Sequence, residues 1–478
     1  MLFTSPVFLY VFLPLLLLIY AAAPVRLRNA LLALASLFFY VWGEVAYAWV
    51  FLLSVIFNYV MGRVIGLMRG RPIQWAVLAV ACVVNLGLLA YFKYADFLVA
   101  NFNTLQHWLG LAPVIQPHIH LPIGISFVTF HALSYLIDIK RGTSTEQKDP
   151  LDVLLYLSLF PQLIAGPIIR YNQIADQIRS RTMSVDNVYL GLRRFTFGLV
   201  KKMLIANQLG VIADQIFAMR AEQLTPSLAW LGASTYTLQL YFDFSGYSCM
   251  AIGLARMFGF HFPENFNYPY ISRSIQEFWR RWHISLSSWF RDYLYIPLGG
   301  SRKGSLRTYC NLVLVFFLCG LWHGASWNFV VWGLFHGFFL VVERAGLAAW
   351  LGKTWRPVSH LYTILVFMIG WVFFRSPDLP HALHFVATLF GGASATLLTD
   401  PVTYYLREDV VLTLVLGVLF SCPLWRWCDQ MLRGRMTAGG LRAVGWQLLD
   451  GVMVLSLLFV CALYINEGSY NPFIYFRF

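Results

Sequence analysis

Charge is what this chain has least of. Only 12% of its 478 residues are Asp, Glu, Lys or Arg, about half the 25% usual in a soluble domain. Cysteine is sparse as well, and the seven present fall singly at Cys82, Cys249, Cys310, Cys319, Cys422, Cys428 and Cys461. Without a Cys-x-x-Cys spacing they read as small core residues, not as zinc ligands or a disulfide framework. The motifs of soluble enzymes are missing too. There is no Gly-x-Ser-x-Gly elbow, Walker loop, dinucleotide-binding glycine turn or His-Glu-x-x-His, which argues against an ATPase or a metalloprotease. Neither a metal nor a resident cofactor is expected.

What fills the space is apolar. Hydrophobic residues make up 59% of the chain and aromatic ones 17%, more than a water-soluble core can absorb. Uncharged runs at residues 5–23, 74–92 and 308–342 reach or exceed the roughly 20 residues needed to cross a bilayer. The first run has no basic start and no small-residue cleavage site, so it is expected to stay as the first span. The formal charge of +13 is carried by Lys and Arg scattered in small groups between apolar runs. That pattern fits membrane topology and anionic lipid and leaves no soluble basic domain for nucleic acid.

No Lys or Arg precedes Arg26 and Arg28, and the next basic group is Arg63, Arg69 and Arg71. Placing both groups in the cytoplasm puts the N-terminus and the turn at Gly43 and Glu44 outside. Residues 30–41 and 45–61 then form an up-and-down pair. In all, about 10 to 13 spans are expected, including partial crossings near residues 151–169 and 382–392. The chain reads as one all-α polytopic membrane domain, residues 1–478, without repeat or linker. Polar and aromatic residues crowd residues 121–337. Lipid-facing helices gain nothing from such residues, so the functional site is expected there.

Three segments carry candidate chemistry. The first is Cys319-Gly-Leu-Trp-His-Gly-Ala-Ser-Trp-Asn-Phe329, with Trp322, His323 and Asn328. If its helix enters the membrane near Asn311, the following twelve residues carry His323 about 18 Å inward. A desolvated imidazole stays neutral and can accept a proton from an alcohol. A structural histidine bonded to a neighbouring helix is the alternative. Gly320 and Gly324 would admit another backbone or a thin substrate.

The second segment, residues 271–293, has a helical period. Ile275, Phe278, Trp279, Trp282, Leu286, Trp289, Phe290 and Tyr293 share one arc, while Arg273, Gln276, Arg280, Arg281, Ser287 and Arg291 fall outside it. Such a helix suits a membrane interface or the rim of an aqueous funnel, with His283 at the boundary of its faces. The third is Tyr241-Phe-Asp-Phe-Ser-Gly-Tyr247. Here Asp243 needs a partner such as an arginine or a histidine, to hold the one or orient the other, and Tyr241 and Ser245 line the site or make plain helix contacts. Pro and Gly recur in Leu121-Pro-Ile-Gly-Ile-Ser126 and Phe160-Pro-Gln-Leu-Ile-Ala-Gly-Pro167, marking bent or re-entrant segments. Arg193, Arg194, Lys201 and Lys202 could meet donor phosphates, although snorkelling at the interface is the simpler reading.

These stretches, in order, together with Pro263-Glu-Asn-Phe-Asn267, Phe278-Trp-Arg-Arg-Trp-His-Ile-Ser-Leu-Ser287, Pro297-Leu-Gly-Gly-Ser-Arg302, Leu321-Trp-His-Gly324 and Pro472-Phe-Ile-Tyr475, resemble the membrane-bound O-acyltransferase (MBOAT) family. The likeness is to the bacterial branch that contains the alginate O-acetyltransferase membrane subunit, and it runs over nearly the whole length. It implies His323 as the catalytic histidine and His283 as a second functional residue. It further implies a helical ring around a tunnel, with Trp322, Asp243, Ser245, Tyr241, Arg280, Arg281 and Asn328 as candidate lining residues. The implied donor is cytoplasmic acetyl-coenzyme A. The acetyl group would pass to a secreted polysaccharide, alginate- or cellulose-type, through periplasmic acetyltransferase partners. A protein- or teichoic-acid-acylating relative and a non-catalytic export subunit are the rivals. The latter would show paired discontinuous helices in two related halves, which the sequence does not.

Overall fold

The computed structural model describes residues 1–392, 395, 397, 400–437, 440–468 and 470. The closing motif at residues 472–475 lies outside them. Regular structure among the described residues is helical, with no strand. Among the described residues eight helices are long and apolar enough to cross a membrane, and the shorter apolar helices Phe8–Ala22 and Leu379–Leu389 bring the count to the lower edge of the expected range. The pair anticipated near the N-terminus is present as Arg28–Gly43 and Ala48–Leu67. Of the two expected partial crossings, the first forms only the short helices Pro150–Ser158 and Phe160–Leu163. The cysteines are less uniform than expected: Cys319 and Cys461 are buried, whereas Cys310 and Cys428 are exposed.

The chain divides into two compact units. Residues Met1–Leu192 and Ala251–Pro263 form one, and Arg193–Met250 and Glu264–Phe478 form the other.

In the first unit a buried amide pair joins Ala48–Leu67 to Ile73–Trp108. Asn58 and Asn85 each donate Nδ2 to the other's Oδ1, at 3.0 and 2.9 Å, the kind of interhelical bond that replaces water where none is available. The two Pro/Gly breaks meet. Gly124 sits at φ +75°, and a Cβ there would lie 2.6 Å from the Leu163 carbonyl oxygen, so only glycine fits. Non-helical backbone buried this deeply needs partners. His131 supplies one, its Nε2 accepting the Ile169 N–H at 3.2 Å, and the Tyr156 hydroxyl donates to the Ile169 carbonyl at 2.9 Å.

In the second unit the uncharged run at residues 308–342 is a hairpin of two helices, Ser305–His323 and Trp327–Val342. The first begins six residues before Asn311 (311 − 305 = 6). At about 1.5 Å per residue it is long enough to span most of the hydrocarbon layer. His323 therefore closes a full-length helix and does not interrupt one midway. Glycine makes the close packing possible. A Cβ on Gly320 would stand 2.2 Å from the Phe329 carbonyl oxygen, and one on Gly333 would stand 2.3 Å from that of Phe316. Gly324 is covered in turn by the Phe329 ring, 2.2 Å from a would-be Cβ. The space left by these glycines is thus filled by the chain itself. Gly320→Ala is expected to splay the hairpin and cost about 1–3 kcal/mol, read as a lower melting temperature of the detergent-purified protein. An unchanged melt would mean the helices part without penalty.

Candidate functional site

The segment expected as one amphipathic helix is broken at its histidine. Helix Ile275–Arg281 ends, Trp282 is extended, His283 adopts the left-handed conformation at φ +44°, ψ +55°, and Ile284–Phe290 starts anew. The arc of apolar residues is nonetheless buried from Ile275 to Tyr293, and Arg273, Gln276, Arg280 and Arg291 stay exposed. A histidine with positive φ is uncommon, and at this one the chain turns around Asn265. The Asn265 carbonyl accepts the Ile284 N–H at 2.9 Å, and the Arg281 carbonyl accepts that of Asn267, also at 2.9 Å. The start of Ile275–Arg281 is fixed from a third direction. Buried Glu343 accepts the N–H groups of Ile275 and Gln276 at 2.5 and 2.9 Å, where a helix N-terminus favours a carboxylate.

His283 is not at a boundary of faces; it is fully buried. Its protonation pattern follows from its neighbours. Asn265 Oδ1 accepts from the Ser285 N–H at 3.1 Å and from the Ser285 hydroxyl at 2.9 Å, while Asn265 Nδ2 donates to Ser248 Oγ at 3.1 Å. The oxygen of the amide is thereby identified, and His283 Nδ1, 3.2 Å from it, must be the donor. Nε2 is then the nitrogen with the lone pair, and it has no hydrogen-bond partner among the described residues. Burial holds the imidazole well below its usual pKa, so the neutral form persists at physiological pH. The result is an oriented, uncharged ring with one basic nitrogen available.

His323 is buried and edge-on to three rings, with centroids 4.9 Å from Trp322, 4.9 Å from Trp332 and 5.2 Å from Phe374. Trp322 is also 6.2 Å from His283. One indole therefore stands against both histidines, which lie 40 residues apart in the chain (323 − 283 = 40). Phe244 closes on the other side of His283, perpendicular at 4.7 Å, and brings the third candidate segment into the same assembly. There Tyr241 is buried 6.2 Å from Trp282. Ser245 is buried, and its Oγ has no partner among the described residues.

Other candidates are placed elsewhere. Asp243 pairs with a lysine, Lys202, at 2.5 Å, both side chains buried. Lys202 therefore does not snorkel. Nor does Arg193, which is buried with its Nε 2.9 Å from Asp450 and its Nη2 2.6 Å from Asp429. Arg194 binds Glu264 at 2.5 Å. None of these three cations is left for donor phosphates without breaking an ion pair. Arg280 is exposed, and Arg281 pairs with Glu277 at 2.9 Å. Asn328 donates Nδ2 to the Ser376 carbonyl at 2.7 Å, tying the start of Trp327–Val342 to the end of Arg356–Arg375. No group of three His, Cys, Asp or Glu among the described residues could hold a metal.

Sequence reasoning missed the parts that act through others. Asn265 lies in a quoted motif, yet nothing local to it announces that it orients a histidine eighteen residues on (283 − 265 = 18). Lys202 looked like an interface residue because it shares a moderately amphipathic stretch with Arg193, Arg194 and Lys201. Glu343 had a signal, a lone carboxylate directly after an apolar helix, which was a partner-seeking group by the same logic as Asp243.

Comparison with known proteins gives this geometry a context. Residues 89–374 match the model of the membrane-bound O-acyltransferase family. A protein of Azotobacter vinelandii named "probable alginate O-acetylase" is 43% identical over the whole of both chains. The peptidoglycan O-acetyltransferase of Helicobacter pylori is 34% identical over all of this chain and 98% of its own. The teichoic acid D-alanyltransferase of Bacillus subtilis is 31% identical over 68% of this chain and 86% of its own. With two buried histidines held against one tryptophan inside the matched region, this chain belongs to the membrane-bound O-acyltransferase family.

Proposed function

We propose that this O-acyltransferase transfers acetyl groups from cytoplasmic acetyl-coenzyme A toward a secreted polysaccharide, with His323 as general base. The observation that carries the reading is the shared indole: Trp322 lies against both His323 and His283, inside a region whose relatives are named for O-acyl transfer. In the step proposed, His323 takes the proton of an acceptor hydroxyl as its oxygen attacks the thioester carbonyl. The C–S bond breaks, and the imidazolium returns the proton to the departing thiolate. His283 Nε2, with Nδ1–H committed to Asn265, accepts a hydrogen bond from the acceptor or the donor. The acceptor is a sugar hydroxyl or the serine of a periplasmic partner protein. The setting is the bacterial inner membrane with the N-terminus outside, and the whole chain acts as one catalytic membrane protein. Alginate is the first polymer to test because the relative from Azotobacter carries that name.

The relatives named for peptidoglycan and teichoic acid favour a second reading, acylation of a cell-wall polymer. Inverted membrane vesicles given acetyl-labelled coenzyme A separate the two by the polymer that carries label. No transfer to any acceptor would overturn both. The transport-only alternative predicts no cleavage of the thioester, and membership of an acyltransferase family speaks against it.

Asn265→Ala removes the oxygen that accepts from the His283 Nδ1–H, the Ser285 N–H and the Ser285 hydroxyl. We expect an about tenfold lower rate, the worth of about one charge-neutral hydrogen bond, with Asn265→Asp recovering part of it. Equal rates for the Ala variant and the wild type in the same vesicle assay would show that this orientation is not needed.

A further inference from the structure

A third histidine lies one ring beyond His323, and nothing above uses it. His336, on Trp327–Val342, is fully buried. Its centroid is 5.2 Å from Trp332, the same indole that stands 4.9 Å from His323, and 5.2 Å from Trp279 at an interplanar angle of 90°. Trp371 completes the wall at 6.3 Å. On the remaining side the ring leans on the bare backbone of Gly370, where a Cβ would come 2.7 Å from Nε2. The absence of a side chain at Gly370 is what lets the imidazole sit there.

Polar atoms in this cluster outnumber their partners. Both nitrogens of His336 and the indole N–H groups of Trp279 and Trp332 are buried, and none has a hydrogen-bond partner among the described residues. Whichever tautomer His336 adopts, it offers one donor and one acceptor. With the two indoles the cluster presents three donors and one acceptor in an apolar setting. A buried polar group left unsatisfied is destabilising, so one is tolerable and four together are not. Edge-on contact with indole faces satisfies an N–H only weakly and does nothing for the lone pair. Two to four buried polar groups within one cluster of neighbouring rings are what a small hydrogen-bonding guest can satisfy.

We propose that His336, with Trp279 and Trp332, forms a binding post for a hydroxyl- or carbonyl-type group beside His323, making it a further positioning residue of the acyl-transfer site. The guest is either an internal water that props the Trp332 and His323 rings or a polar group of the bound acyl donor, and the chemistry of recognition is the same for both. The proposal rests on the reading that acyl transfer takes place at His323.

The test compares His336→Gln, which keeps a donor and an acceptor, with His336→Met, of similar length but without either, and with His336→Phe, which keeps an aromatic ring. Each is assayed with labelled acetyl-coenzyme A in vesicles at equal membrane abundance. We expect kcat/KM to fall about tenfold or more in the Met and Phe variants, and His336→Gln to stay within a few-fold of wild type. A fall in kcat at constant donor KM assigns the guest as water; a rise in donor KM assigns it to the donor. Wild-type kinetics in the Met and Phe variants would overturn the proposal, because only packing would then be at stake. Trp279→Phe, which deletes one N–H and keeps the ring, gives the same reading if the 336 variants fail to accumulate. His323→Ala separates the two claims. If it stays active while His336→Met is impaired, the base assignment falls and the post stands. If it is dead while the Met and Phe variants are normal, the reverse holds.

Discussion

His323→Ala should abolish acyl transfer while the protein accumulates normally in the membrane. The imidazole stands edge-on to the rings of Trp322, Trp332 and Phe374, at the end of its helix, so its removal trims an edge of an aromatic cluster and leaves the hairpin glycines and their backbone contacts in place. A positioned general base contributes about 10²–10⁴-fold, and a loss of that size in vesicles given labelled acetyl-coenzyme A is the expected reading. His323→Gln restores bulk and a hydrogen-bonding group but no proton acceptor of suitable basicity, so it should be equally inactive. Substantial transfer by either variant at normal abundance would return His323 to a structural role and direct attention to His283, whose Nε2 is the basic nitrogen of an oriented ring.

Breaking the Lys202–Asp243 pair should be the most damaging change to stability. The two side chains are each 2% exposed, with Nζ and Oδ1 2.5 Å apart. Lys202 is the second residue of the π-helical turn Lys201–Ala206, and Asp243 lies on the helix Pro226–Met257. The same helices are in backbone contact nearby, where a Cβ on Gly198 would be 2.6 Å from the Gly246 carbonyl oxygen. Asp243→Asn or Lys202→Met alone takes the paired counter-charge from a buried ion and should cost about 3–5 kcal/mol. The expected result is little extractable protein and a much lower melting temperature. The double replacement Lys202→Met with Asp243→Leu removes both charges and should recover most of that loss, since a buried pair is often no better than well-packed apolar groups. If the single and double variants were equally unstable, the cost would lie in packing and not in charge. Asp243 stands one residue before Phe244, which is perpendicular to His283 at 4.7 Å. Failure of the pair should therefore also loosen the histidine site.

Much of the architecture was legible in the chain because membrane spans obey a single requirement, enough apolar residues in a row. The first helical pair, the shortness of the segments near residues 151–169 and 382–392, and the Pro/Gly breaks came from that rule and appear in the structure. Burial on the arc from Ile275 to Tyr293 was legible too, even though the helix it was drawn on is interrupted. Periodicity records which side of a segment is buried, and a one-residue excursion at His283 changes the path of the backbone without disturbing that record. The excursion depends on Asn265, far away in sequence, so no local pattern could contain it.

The same division runs through the site. Composition and motif order by themselves determined that the chain is an all-α membrane protein of the O-acyltransferase kind, with His323 and His283 as its candidate histidines. Only tertiary structure decided how those histidines meet across Trp322, which nitrogen of His283 carries the proton, and that Asp243 answers to Lys202. The physical reason is that burial preference is a property of each residue and its immediate neighbours, readable along the chain. A hydrogen bond or ion pair is a property of two groups at about 3 Å, and a membrane interior forces every such group to find a partner wherever the fold supplies one.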